Sequence, residues 1–325
     1  MKNKKTISIT GGTGHLGINL IKALLDQEYN VKALIRHSSF SFKHPLLTLI
    51  KGDLSNLEAL SQLTDNSDVI IHCASAISIG EMPHDSIYEV NVRGTQNLLQ
   101  ACLGKAIRFI YISSSTATED PIKNEVFDEK RPYRSDKTFF YAWTKAQGEI
   151  QVLEHIEKND LDGIIIRPTA IVGPEDPGPS RFGRTILDLF RGKLPFITNG
   201  GYNMVDVRDL SQTIINSVSM AKKGEIYLTG GQYISLKELA IMARPAKIPS
   251  LLSLDFLIKC LPFIKIYDTF FKLKWPVNKE SLTTLKYAPK RMDCSKAIKE
   301  LGHRNRETQH SIQDLIQWFN ENKMT

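Results

Sequence analysis

Short β-branched and aliphatic runs alternate along the first half of the chain with longer stretches whose apolar residues recur every three or four positions. TISIT (6–10), NVKALI (30–35), LLTLIKGD (46–53), DVIIHCAS (68–75), IRFIYISSS (107–115) and DGIIIRP (162–168) have the length and composition of strands. HLGINLIKALLDQ (15–27) and the stretches at about 84–103 and 138–158 carry helical periodicity. Strands that are apolar on both of their alternating sets belong inside, with neither face in water. The pattern therefore predicts an α/β domain, a doubly wound parallel sheet with helices on both faces.

After Pro168 the pattern changes. GPEDPGPSRFG (173–183) is a Pro/Gly-rich loop, of the kind that lets a chain leave a sheet and wall a pocket. VDVRDL (205–210) and GEIYLTGG (224–231) read as a return to the main sheet. The main domain is thus expected over 1–172, with 203–230 returning to it. A smaller, mostly helical C-terminal lobe is expected from 173–202 and 231–325. Within that lobe the apolar segment 248–276 carries Asp255, Lys259, Lys265, Asp268, Lys272 and Lys274, which exclude a membrane span. Core or lid helices are expected there rather than a membrane-surface anchor.

Composition narrows the class. With 325 residues, 42% of them hydrophobic, the chain can bury a large core. No leader with an apolar stretch and cleavage site is expected at the start, and Cys73, Cys102, Cys260 and Cys294 have no metal-ligand spacing. The expectation is a cytoplasmic protein with reduced thiols and no metal. The formal charge of +7 is spread along the chain without a nucleic-acid-binding motif, so it suits an enzyme that handles anionic cofactors and small molecules.

Three local features carry chemistry. The first strand runs into TGGTGHLG, placing Gly11, Gly14 and Gly17 at a strand-to-helix turn where a Cβ would block approach of a pyrophosphate to the helix N-terminus. The second strand ends ALIRHSS: Arg36 stands where an acid would grip a ribose 2′-hydroxyl, and with Ser38 or Ser39 it suits a 2′-phosphate. NADP(H) is therefore expected, with NAD(H) second. In YAWTK, Tyr141 and Lys145 lie four apart on one helical face, where an ammonium can lower a phenol pKa.

TGGTGHLG, GDL, HCAS, NVRGT, FIYISSS, YAWTK, RPTAIVGP and VDVRDL follow one another as in the extended short-chain dehydrogenase/reductase superfamily. The chain most resembles its NAD-dependent epimerase/dehydratase group, in the dihydroflavonol-4-reductase-like branch. The match covers about residues 5–240 and returns at KRMDCSKAIKELG (290–302). The resemblance implies a Rossmann fold, with Tyr141 as general acid/base and Lys145 lowering its pKa and binding the nicotinamide ribose. Ser115 matches the catalytic serine, with Ser114 the second choice. Thr13, His15 and Leu16 join the three glycines as cofactor-binding residues. Asp53 and Leu54 match the adenine contacts, Ala74 and Ser75 the pyrophosphate and ribose loop, and Pro168 to Ile171 the nicotinamide flank. Asn91 matches a residue below the ring, or else satisfies local backbone. The resemblance makes His72 structural and implies a homodimer through the helices at 84–103 and 138–158.

Asp206 and Asp209 read as a strand-to-helix junction, with Asp209 capping the helix. Arg181 and Arg184 are expected to face the pocket. RPAKIPSLL after ISLKELAIMA looks shorter than in relatives, which leaves the substrate lid without a template. The expected function is an NADP(H)-dependent oxidoreductase that reduces a ketone or aldehyde of a small organic substrate, or oxidises the matching alcohol. The rivals are an NAD-dependent nucleotide-sugar epimerase or dehydratase and a non-catalytic NADP(H)-sensing regulator.

Overall fold

A computed structural model describes residues 4–36, 40, 42–77, 84–121, 125–261 and 279–324. Its main sheet has seven parallel strands: β1 (Thr6–Thr10), β2 (Asn30–Ile35), β3 (Leu47–Lys51), β4 (Val69–His72), β5 (Arg108–Ile112), β6 (Asp162–Pro168) and β10 (Ile226–Thr229). Their spatial order is β3-β2-β1-β4-β5-β6-β10. The order reverses between β1 and β4, and a crevice opens beyond their carboxyl ends, where doubly wound sheets bind ligands.

Successive residues of each strand point to opposite faces and build two separate cores. Ile7, Ile9, Ile71, Ile110 and Ile166 pack with α1 (His15–Asp26) and α7 (Val207–Met220) on one side. Ile70, Phe109 and Ile165 pack with α2 (Leu57–Thr64), α4 (Gly94–Cys102) and α5 (Phe140–Asn159) on the other. The apolar patterning that predicted a sheet buried on both faces is realised in these two layers.

The stretch expected as one helix at about 84–103 is interrupted. α3 (His84–Tyr88) leads into a π-turn, Glu89–Arg93, before α4 begins. Such wide turns cluster at functional sites. This one carries Asn91 inward, buried beneath the loop after β4.

VDVRDL does not rejoin the main sheet. β9 (Gly201–Asp206) pairs in parallel with β7 (Ala170–Val172) and antiparallel with β11 (Gln232–Ser235), forming a second sheet. Only β10 returns, alongside β6. α7 starts at Val207, so Asp206 is its cap and accepts a bond from the Arg208 backbone N–H at 2.8 Å. Asp209 instead accepts Arg306. The sequence reading set the cap three residues late, because a strand that ends in a polar pair gives no local sign of where the helix begins.

The lobe has its own core of Phe182, Ile186, Met204, Leu239, Leu315 and Phe319, drawn from α6 (Arg181–Phe190), the second sheet, α8 (Leu236–Ala243) and the helix Thr308–Glu321. β8 (Phe196–Thr198) and β12 (Ser250–Leu252) form a short parallel pair beside it. The helix Ser295–Leu301 leaves the lobe and inserts Ala297 and Leu301 into the main-sheet core. Of the apolar segment, 254–261 is helical with Leu254, Leu257 and Leu261 buried; 262–276 lies outside the described residues. Among the described residues no helix is long and apolar enough to cross a membrane.

Candidate active site

The crevice at the sheet's carboxyl end continues between sheet and lobe as one cleft of about 1790 Å³. Its inner end is the glycine turn. Gly11 has φ +73°, and a Cβ there would lie 2.6 Å from the Ala74 nitrogen; one on Gly17 would lie 2.2 Å from the Gly11 carbonyl. The glycines are required because three backbones converge. Gly14 caps α1 without a side-chain partner, and the first turn holds no acid, so its N–H groups and dipole favour an anion. Thr13, Gly14, His15, Leu16 and Gly17 all line the cleft. His15 Nε2 also lies 3.0 Å from the Gly173 carbonyl and 3.1 Å from that of Pro174, tying the turn to the loop that enters the lobe.

Arg36 follows β2, exposed and in the cleft wall, opposite Asp53. The Ser55 hydroxyl and backbone N–H bind the Asp53 carboxylate at 2.6 and 2.8 Å and hold its pKa down, with a smaller contribution from Arg36. Leu54 is buried in the same wall. Ser38 and Ser39 lie outside the described residues.

Ala74 and Ser75 form the next wall. The Ala74 N–H reaches Thr10 Oγ1 at 3.2 Å. Asn91 Oδ1 accepts Ser75 Oγ at 3.1 Å and the Ala76 N–H at 2.7 Å, while its Nδ2 donates to the Ala76 carbonyl and Thr144 Oγ1, both at 3.0 Å. Three of these bonds brace the loop and the fourth ties it to α5, and Asn91 is not among the residues that line the cleft. The local role expected of it is thus present. His72 bridges Thr10 Oγ1 and Thr95 Oγ1 at 2.6 and 2.9 Å, and burial drives its pKa down to about 3. It is neutral and structural.

The three serines after β5 separate sharply. Ser113 Oγ is buried without a partner among the described residues. Ser115 begins a 3₁₀ turn, and its carbonyl accepts Thr118 Oγ1 at 3.1 Å. Ser114 Oγ lies 2.9 Å from Thr116 Oγ1 and accepts the Thr116 N–H at 3.2 Å, which caps that turn. Ser114 and Ser115, the two serines expected at this position, both line the cleft together with Tyr141.

Tyr141 occupies the first turn of α5, at the cleft floor. Burial pushes its pKa up to about 12, opposed by Ser75 and Ser114 and assisted by Glu280. Where a lowering by Lys145 was expected, burial dominates. Lys145 Nζ donates to the Ile112 carbonyl at 2.7 Å and sits 4.4 Å from the Tyr111 ring centroid. Sharing a helical face fixes direction only as far as Cβ, and a buried ammonium goes where a carbonyl can accept its hydrogen bond. Burial lowers its pKa to about 8, with Glu149 opposing. Glu149 in turn accepts bonds from Arg167 at 3.0, 3.0 and 2.7 Å.

These motifs and their order decide the family: residues 7–230 match the NAD dependent epimerase/dehydratase family. The chain belongs to it. Over 98% of its length the chain is 30% identical to Sterol demethylase protein B of Methylococcus capsulatus, covering 99% of that protein. It is 29% identical to a candidate dihydroflavonol 4-reductase of Synechocystis, over 96% of this chain and 93% of that one. Among solved structures, that of gox2253 superposes with a TM-score of 0.86 at 27% identity, over 99% of this chain and 100% of the other. The chain is an enzyme of the extended short-chain dehydrogenase/reductase type.

In this family member the outer cleft belongs to the lobe. Pro168, Thr169 and Ile171 lead from the floor to a wall that includes Phe182, Leu194, Phe196, Ile197, Leu257 and Leu282. Arg181 and Arg184 line it as expected. Glu280, which the sequence reading missed, comes from the helix Lys279–Tyr287; burial raises its carboxyl to about 7, opposed by Arg181 and Arg134. No spacing or motif points to it, since it reaches the site through the lobe's packing alone.

Proposed function

We propose that this enzyme is an NADP(H)-dependent oxidoreductase that reduces a ketone or aldehyde, or oxidises the matching alcohol, with Tyr141 as general acid/base. The observation that carries the reading is that Tyr141, Lys145 and the serines Ser114 and Ser115 line one cleft with the glycine turn. A nicotinamide dinucleotide fits the inner half of the cleft, where absent Cβ atoms and an uncapped helix N-terminus suit a pyrophosphate, and when bound it supplies or accepts hydride. Gly11, Gly14, Gly17 and their neighbours Thr13, His15 and Leu16 would hold it there. Arg36, with no acid at the end of β2, favours a 2′-phosphate.

Ser115, with Ser114 the second choice, orients the substrate oxygen. Tyr141 gives that oxygen a proton as negative charge develops on it. Because its pKa stands at about 12, the phenol is protonated at neutral pH and ready to donate. Lys145, anchored on the Ile112 carbonyl of β5 and lining the same cleft, offers donors for a ribose. The apolar outer wall suits an alicyclic or otherwise apolar carbonyl compound, the kind of molecule named in the Methylococcus relative.

A second reading, NAD-dependent epimerisation or dehydration of a nucleotide sugar, is favoured by Arg181 and Arg184, which could meet a diphosphate. Fluorescence titration with NADPH and NADH separates the two readings. Tighter NADPH binding that Arg36→Asp reverses by tenfold or more, as loss of a charge-assisted bond requires, supports the reductase. Tighter NADH binding, or NAD retained through purification, overturns it. Tyr141→Phe should keep cofactor binding and lose turnover.

A further inference from the structure

Of the twelve large hydrophobic residues left exposed among the described residues, four crowd into the short span 241–256: Ile241, Ile248, Leu251 and Phe256. Phe256, at 59% exposure, is the most open aromatic residue among them. The segment is built, not frayed. Leu251 is held in register against Ile197 by the β12–β8 pairing, and the following helical turn is fixed by the Leu254 N–H on Asn199 Oδ1 at 2.9 Å. Asp255 is paired with Lys286 at 2.6 Å, which pins this turn to the helix Lys279–Tyr287.

The same turn has two apolar faces. Leu257 points inward and lines the outer cleft, while Phe256 points to solvent. Tyr287 is both exposed and part of the cleft lining. The rim of the apolar half of the cleft is therefore the edge of the exposed apolar surface. In the span 241–259 Arg244, Lys247 and Lys259 are exposed, and its acid, Asp255, is engaged by Lys286. Exposed aliphatic and aromatic residues interspersed with cations match the headgroup region of an anionic bilayer, where ring and alkyl groups enter the interface and cations meet phosphate.

We propose that this face of the lobe docks peripherally on an anionic phospholipid surface, with Leu251 and Phe256 entering the interface and Arg244, Lys247 and Lys259 on the headgroups. Docking there brings the cleft rim to the lipid, so an apolar substrate passes from bilayer to cleft without crossing water. The surface stands independently of the oxidoreductase reading, because lipid binding is measured without turnover.

The test is flotation of the full chain with phosphatidylcholine vesicles, with and without phosphatidylglycerol. Wild type should float with the mixed vesicles, remain behind with phosphatidylcholine alone, and be released by salt. Leu251→Ser with Phe256→Ser should weaken binding about tenfold or more. Arg244→Glu with Lys247→Glu should weaken it at least as much, at about fivefold for each charge removed. NADPH binding by these variants controls for folding, and the salt dependence of wild type needs no variant. Wild type that fails to float with anionic vesicles overturns the proposal. So does equal flotation of wild type and variants, or a patch variant that instead dissociates a dimer in sedimentation, which would assign the face to a second copy of the chain.

Discussion

Neutralising Glu149 isolates the charge network behind the reacting tyrosine. Glu149 and Arg167 are 0% and 1% exposed at their side chains, and Glu149→Gln keeps the shape while removing the charge. Breaking a buried pair in this way costs about 3–5 kcal/mol, because the surviving charge stays buried. Arg167 keeps its bond to the Glu129 carbonyl at 2.9 Å and its place 5.4 Å from the Tyr133 ring centroid. Those contacts hold the loss to the low end, about 3 kcal/mol. The substitution has a second effect. Glu149 is the main influence holding the Lys145 ammonium up against burial, so the pKa of Lys145 should fall further below about 8.

The sign of the wild-type pH dependence follows from the same lysine. Its folded pKa of about 8 lies below the ordinary 10.5, so the unfolded chain binds more protons between those values. The Lys145 contribution to stability therefore rises with pH across that window, by up to about 3 kcal/mol. In Glu149→Gln the rise should begin at lower pH. Denaturant unfolding of both proteins from neutral to alkaline pH reads the two effects together. A loss under about 1 kcal/mol at neutral pH, in the range of an ordinary surface change, would refute the idea that Arg167 depends on this carboxylate.

Ser115→Ala should lower kcat/KM by about a hundredfold or more, as loss of a donor to a developing oxyanion does, whereas Ser114→Ala, which removes a turn cap, should leave it within a fewfold. The reverse order in steady-state assays would move the role to Ser114. Gly17→Ala should abolish cofactor binding and destabilise the turn, since its Cβ would sit 2.2 Å from a backbone carbonyl that cannot yield. Calorimetric titration with NADPH and thermal melts would show both. Glu280→Gln should shift the pH profile of kcat/KM near pH 7, where this carboxyl titrates within electrostatic reach of Tyr141; an unchanged profile would remove Glu280 from the site's electrostatics.

Local pattern alone determined much of this protein. Apolar runs such as VIIH and IIIR can only be interior strands, and the strict strand–helix alternation leaves a parallel, doubly wound sheet as the way to bury them. The glycine turn and the helix that carries Tyr141 and Lys145 were legible because backbone sterics and helical spacing act over a few residues. What needed the tertiary structure acts over long distances. SSS gives three hydroxyls, but only the approach of α5 to the end of β5 sets them in one cleft with Tyr141. Helical spacing gave Lys145 its direction, and burial against β5 gave it the Ile112 carbonyl as a partner. Pairing with β7 and β11 took β9 out of the main sheet, and lobe packing brought Glu280 to within electrostatic reach of Tyr141. A sequence states which faces must be buried; which partner each polar group then finds is settled only when distant elements meet.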